Sequence, residues 1–176
     1  MKRQIAVLTI TILLLFTLPI YAGAPLDTVQ SNVNKVLEVL RDPKLKAAPA
    51  KEIKKEKLRH IFGRLFDDVE LSKRALARHW VSINVTQRQE FAQLFRQVLE
   101  KAYMDKILAY RDEKISFDRE TMLSGNQAEV QTRIITSSKE IPISYRVIMK
   151  GSDWKVYDVV IENVSLVLNY RAQFNS

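Results

Sequence analysis

The hydrophobic period of the chain changes once, near Arg111. Before that point apolar residues recur at the three-to-four spacing of helices; after it they alternate, as in strands. A chain built in this order folds as helices first and an antiparallel meander second, which is the α+β class. Val29, Val33, Val36, Leu37 and Leu40 share one helical face. Asp42-Pro43 ends that helix, because a residue before proline is steered away from the α region. A Lys/Ala/Pro-rich linker runs to about Lys51. A second helix follows to about Phe66, with Ile53, Leu58, Ile61, Phe62, Leu65 and Phe66 on its buried side. Asp67 or Asp68 is placed to cap a short third helix carrying Leu71, Ala75, Leu76 and Trp80.

Thr86 and Gln89 have capping-box spacing at the start of the longest helix. Its expected inner stripe is Phe91, Leu94, Phe95, Val98, Leu99 and Ala102, continued by Tyr103, Ile107 and Tyr110. Four strands are expected beyond Arg111. The first carries Ile115 and Phe117, with Arg119 and Thr121 continuing the alternation. Gly125-Asn126 turns the chain into the second, with Ala128, Val130, Thr132 and Ile134. The third carries Ile141, Ile143, Tyr145, Val147 and Met149. The fourth, Trp154 to Ile161, is apolar on parts of both faces, which predicts cover on both sides. A last helix is expected from about Val164 to Phe174. The implied architecture is a curved four-stranded antiparallel sheet wrapped by N-terminal helices and closed by a C-terminal helix. Its interior is apolar.

The N-terminus reads as an export signal. Lys2 and Arg3 precede an apolar run from Ile5 to Ile20, and Ala22-Gly23-Ala24 supplies small residues at cleavage-like spacing. Residues 1–24 are therefore assigned as a cleaved signal peptide and residues 25–176 as one domain. The alternative is an uncleaved anchor, for which the run is short. The chain has no cysteine, which excludes disulfides, thiolate metal sites, a Cys nucleophile and a lipidated N-terminal Cys. Its formal charge is +8, of which Lys2 and Arg3 supply two, so the exported chain carries +6. Such a balance suits nucleic acid or an anionic membrane surface, and export selects the membrane.

The residues also carry a family pattern. Phe66-Asp67, Arg74-Ala75-Leu76, His79-Trp80 and Thr86-x-x-Gln89 with Phe91 and Phe95 form its first part. Trp154-Lys155-Val156-Tyr157-Asp158-Val159, Ile161 to Val167, and Asn169-Tyr170-Arg171-x-Gln173-Phe174 form its more specific part. Over about Pro25 to Phe174 the chain resembles the MlaC/toluene-tolerance family. The resemblance implies an NTF2-like cone with added helices and a periplasmic phospholipid-binding protein. It further implies partners: an inner-membrane ABC lipid transporter complex and an outer-membrane lipoprotein complex that together maintain outer-membrane asymmetry. Asn163 stands where many members have Gly, a change that a turn with positive φ tolerates. Related branches lie beside hopanoid genes, which leaves a hopanoid as the alternative cargo.

The residues expected to line a lipid pocket are Phe91, Phe95, Leu99 and Tyr103 on the long helix, and Phe117, Val130, Ile143, Tyr145, Val147, Trp154 and Val160 on the sheet. Val164 and Leu168 complete the set on the last helix. Arg171 falls on the apolar stripe of that helix and needs a partner. Asp158 is the candidate, either as an ion pair that pins the helix or as part of a phosphate site at the pocket mouth. The basic run from Lys44 to Arg64 is a solvated helix face or a docking surface.

Neither histidine, His60 or His79, has metal-ligand spacing to other donors, and Asp67 with Asp68 reads as a cap. No catalytic residue, metal or cofactor is expected. Two readings compete with the carrier. One is a proton-transfer enzyme, which would need a carboxylate or histidine inside the apolar interior, with Asp118 and Asp158 as the candidate strand aspartates. The other is an adaptor without cargo.

Overall fold

The computed structural model describes residues 24–45 and 48–176; the signal-peptide assignment lies outside the described residues. Five helices and a five-stranded sheet follow the expected order. Helix α1 (Pro25–Arg41) opens with proline in its first turn, where a missing N–H costs nothing. The segment after it holds two short 3-10 turns, Pro43–Leu45 and Ala48–Ala50. Helix α2 (Lys51–Leu65) and helix α3 (Asp68–Leu76) are joined at Phe66-Asp67. There the Asp67 side chain accepts from the Glu70 amide at 2.8 Å.

Helix α3 is shorter than its apolar pattern suggested. Ala77 takes a φ of 50° and redirects the chain into a 3-10 segment, Ala77–Ser82, that still buries Trp80. Arg88 holds this segment against helix α4 (Val85–Leu108) by donating to the Trp80 carbonyl at 3.0 Å. The capping box of α4 sits two residues earlier than expected. Asn84 and Gln87 exchange side chain-to-backbone bonds at 2.9 Å each, because Asn84 is the last extended residue and Thr86 is already helical.

Strands β1 (Lys114–Ser124), β2 (Gln127–Ile135), β3 (Glu140–Lys150) and β4 (Asp153–Ile161) pair in sequence order, all antiparallel. A fifth strand, β5 (Val164–Ser165), pairs with Val160 and Ile161 and corrects the expectation of four. Glu162 and Asn163 turn the chain there with φ of 48° and 68°, the conformation that asparagine tolerates. The last helix, α5 (Leu166–Phe174), thus begins after Val164 rather than at it. The Ser165 hydroxyl caps it by accepting from the Leu168 amide at 3.1 Å.

Register fixes which side chains share a face. Val130 pairs with Tyr145, and Tyr145 with Val159; Ala128 pairs with Val147, and Val147 with Val156. These residues form the inner face, against which α1 and α2 bury Val29, Val33 and Leu65. The alternate row, Glu129, Arg146 and Asp158, lies on the outer face, near α3 and α5. A second cluster joins Leu71, Ala75, Phe95 and Val167 from α3, α4 and α5, and Phe66 packs against both clusters. Strand β4 is covered on both sides, as its two-faced apolar pattern predicted.

Strand β1 departs from simple alternation. Its register shifts between Phe117 and Arg119. Beyond that bulge Glu120, opposite Val130, faces inward, and Arg119 and Thr121 face outward. This corrects the inward phase expected for Arg119 and Thr121. The Glu120 carboxylate accepts from the Leu26 amide at 2.8 Å and satisfies one free N–H of the α1 N-terminus.

Candidate functional site

The inner face is packed unevenly along its length. At the end formed by the β1–β2 and β3–β4 turns, Ala128, Val130, Val147 and Val156 are fully buried and Trp154 is 2 % exposed. At the opposite end, Ile115, Phe117, Ile143, Tyr145 and Ile161 pack against the same core but keep part of their surface accessible. Coverage of the inner face is therefore less complete at the end away from these turns, where several large apolar side chains keep part of their surface, although Thr132 there is buried and Met149 beside Trp154 is only partly so. Thr132 lies among them as a satisfied polar group, donating to the Ile143 carbonyl at 2.9 Å.

Tyr145 sits where the two ends meet. Loss of solvent around it pushes its phenol up to about 12, yet the side chain is not sealed. A ring with one apolar body and one polar tip in such a place can contact both hydrocarbon and a polar linker. Burial also raises the Tyr103 phenol, and the neighbouring Tyr170 adds to the effect.

The expected pocket residues separate into four groups. Phe117, Ile143 and Tyr145 line the open end. Val130, Val147 and Trp154 belong to the solid core behind it. Phe91 and Phe95 meet protein rings: Phe95 lies 5.0 Å from Tyr170 and 5.5 Å from Phe174 between ring centroids. Leu99 packs against the same cluster, and Tyr103 is half-buried next to Tyr170.

The remaining three do not join the inner face. Val160 pairs with Ser144 in the outward phase, and Val164 and Leu168 are exposed. Val160 alternates with the inward Val159 and Ile161, and for Val164 and Leu168 the physical reason is the hairpin at Glu162-Asn163, which starts α5 later. On α4, Leu94, Val98 and Ala102 are likewise exposed, whereas Ala92 and Met104 are buried. The helix is gripped along a different line than its strongest apolar stripe suggests.

Asp158 and Arg171 do not form the expected pair. Asp158, 2 % exposed, accepts from Arg146 at 3.3 Å, the Ser165 hydroxyl at 2.6 Å and the Val167 amide at 3.1 Å. Arg171 instead donates to the Arg74 carbonyl at 2.8 Å and ties α5 to α3. Sequence reasoning missed Arg146, because only the register places Glu129, Arg146 and Asp158 in one row. It also missed Glu120 for want of the bulge, and Ser165, which a capping signal could have found. Asp118 lies outside the apolar interior as well. Arg133 and Ser116 hold its carboxyl down at about 2. Among the described residues, the strand carboxylate that reaches the inner face is Glu120, engaged by α1.

An open groove of about 1080 Å³ separates α2 from α4. Its walls are charged, and ion pairs cross it: Arg59 with Glu100 at 2.6 Å, Arg96 with Asp68 at 3.4 Å and Lys51 with Asp105 at 3.8 Å. The basic run of α2 is thus partly spent on α4. Arg59 also pairs with Glu56, and Lys55 with Glu52. Among the described residues no group of His, Cys, Asp and Glu could hold a metal ion. Among them also, no helix is long and apolar enough to cross a membrane.

Helices wrapped on an antiparallel sheet with a partly accessible apolar face define an α+β domain. The family model described as MlaC protein matches residues 30–176, and the chain belongs to that family. It is 24 % identical over 159 residues to toluene tolerance protein ttg2D of Pseudomonas putida, covering 89 % of this chain and 74 % of that protein. It is 28 % identical over 99 residues to the intermembrane phospholipid transport system binding protein MlaC of Haemophilus influenzae; that match covers 53 % of this chain and 46 % of the relative. Its fold matches the phospholipid-binding protein of Ralstonia solanacearum, solved with a phospholipid, with a TM-score of 0.78 and 21 % identity. That match covers 87 % of this chain and 86 % of the other.

Proposed function

We propose that this protein binds a diacyl phospholipid at the open end of its inner face and carries it through the periplasm. The observation that supports the reading is the ring of half-accessible apolar side chains, Ile115, Phe117, Ile143, Tyr145 and Ile161, in front of a sealed core. A relative named for phospholipid transport and a structural neighbour solved with a phospholipid agree with it.

Physical chemistry sets what such a carrier must do. Exposing the roughly 30 methylenes of a diacyl lipid to water costs roughly 20–25 kcal/mol, so free diffusion between membranes is negligible. An apolar cavity that matches the bilayer in affinity is sufficient. Much tighter binding would prevent unloading, so direction is supplied by partners. In this reading the partners are an inner-membrane ABC lipid transporter and an outer-membrane lipoprotein complex, and the pathway preserves outer-membrane asymmetry. No chemical step is needed. Asp118 and Asp158, the strand aspartates of the isomerase-like reading, both lie off the inner face, and the Glu120 carboxylate that reaches it is engaged by the Leu26 amide.

Native mass spectrometry of the mature protein purified without detergent, followed by analysis of the extracted lipid, tests the proposal. One diacyl phospholipid per chain is the expected result. A hopanoid would keep the carrier and change its cargo. A bare protein mass with no uptake from liposomes would overturn it.

A further inference from the structure

The outer face of the sheet holds a second pocket, of about 240 Å³, on the side away from the apolar interior. Three guanidinium groups line it, from Arg74 on α3, Arg146 on β3 and Arg171 on α5. Each is fixed through a nitrogen that points into the protein. Arg74 Nε donates to Glu70 at 2.9 Å while its guanidinium lies 3.8 Å from the Tyr157 ring centroid. Arg146 donates to Glu129 at 3.1 Å and to Asp158 at 3.3 Å. Arg171 Nε is taken by the Arg74 carbonyl. Terminal N–H groups of all three are left without a hydrogen-bond partner among the described residues.

The charges around the pocket are unevenly paired. Glu129 and Asp158 both contact Arg146, and Arg74 pairs with Glu70, which is shared with Lys150 at 3.6 Å while Lys150 also meets Asp67 at 3.3 Å. Arg171 is left with a carbonyl and no carboxylate among the described residues, a place that a single carboxylate matches and a phosphate dianion overshoots. The space is far smaller than a diacyl lipid, and the sheet separates it from the inner face, so a lipid seated inside cannot reach it. Its rim is apolar and outward-facing. Leu123, at the end of β1, is 51 % exposed, and Leu168 on α5 is 52 % exposed.

We propose that this pocket binds one carboxylate presented by a partner protein, an acidic side chain flanked by apolar residues that cover Leu123 and Leu168. Guanidinium groups held by their inner nitrogens present the remaining N–H groups as a ready fork for a carboxylate. The site is independent of the lipid, so the loaded and the empty carrier can both dock through it.

The test uses the mature protein and the peptide N-acetyl-leucyl-glutamyl-leucine amide. Binding is followed by the NMR signals of the Arg74, Arg146 and Arg171 side-chain N–H groups. Saturable shifts of these signals are expected, with at least tenfold weaker binding for the glutamine analogue, about the loss of one charge-assisted pair. Arg171→Gln should weaken peptide binding about tenfold and leave the bound lipid mass unchanged. Because Arg171 also ties α5 to α3, Leu168→Ala serves as the second variant. It trims a half-exposed side chain at the rim and should weaken binding severalfold. Equal binding of the two peptides, or no shift with either, overturns the proposal. Inorganic phosphate saturating the same signals at lower concentration than the peptide also overturns it, leaving a small-anion site. A variant that loses peptide but keeps lipid separates this inference from the carrier reading.

Discussion

The two ends of the inner sheet face use the same kinds of residue and differ in how completely they are covered. Trp154, Val130, Val147 and Val156 at one end are sealed by α1 and α2. Phe117, Ile143 and Ile161 at the other are no less apolar, yet they remain partly accessible. The difference teaches that hydrophobicity alone does not mark a core. What marks the site is apolar surface that the chain itself leaves unfinished. For the proposed carrier, stability rests on the covered end and lipid contact on the partly accessible one.

Substitutions at the two ends should therefore separate stability from lipid content. Trp154→Ala should cost the most, about 3–5 kcal/mol, because it leaves a cavity in the sealed region. Urea denaturation followed by circular dichroism measures this. Asp158→Asn comes next, at about 2–3 kcal/mol, since it weakens charge-assisted bonds to Arg146, Ser165 and Val167. The same denaturation series places it, and lipid extracted from the folded fraction should be unchanged.

Phe117→Ala at the open end should cost only about 1–2 kcal/mol, because the ring is half-buried. Its lipid content, read by native mass spectrometry, should fall well below the wild-type level. If Trp154→Ala and Phe117→Ala lost lipid in proportion to stability alone, the distinction between the ends would fail. Arg59→Gln, which removes the pair to Glu100 across the groove, should change stability by less than about 1 kcal/mol.

The smallest effect is a pH dependence at Asp118. Its folded carboxyl is held at about 2, below the ordinary value of about 3.9. A carboxyl whose folded value is depressed adds stability above its unfolded value and loses it as pH falls through the folded one. The denaturation midpoints of wild type and Asp118→Asn should thus converge as pH drops from about 4 to about 2.

Much of the fold was legible because burial enforces a period. Val29, Val33 and Leu37 mark α1, and Ala128, Val130 and Thr132 mark β2, since each set must face one way. What stayed hidden depends on contacts between distant segments. Glu129, Arg146 and Asp158 become a row only once three strands are in register, so the sequence alone points Asp158 to Arg171 instead of Arg146. Leu94 and Val98 read as core, yet they are exposed on α4. The hairpin at Asn163 shifted α5 and left Val164 and Leu168 outside. At the candidate site, Phe117, Ile143 and Tyr145 were legible as inward residues. Which of the inward residues would remain accessible was not, because coverage is a property of the helices above them.

The bulge after Phe117 also bears on how this chain can change over time. It reverses the inward parity of β1 at one residue, so that Glu120 reaches the first turn of α1. Substitution at Asp118 leaves that parity intact. Deletion of the same residue would remove the bulge and leave Phe117, Arg119 and Glu120 in simple alternation, with Glu120 still inward. The site therefore absorbs a point change or the loss of one residue, so drift among descendants of this sequence can alter position 118 or remove it while Glu120 keeps its side of the sheet.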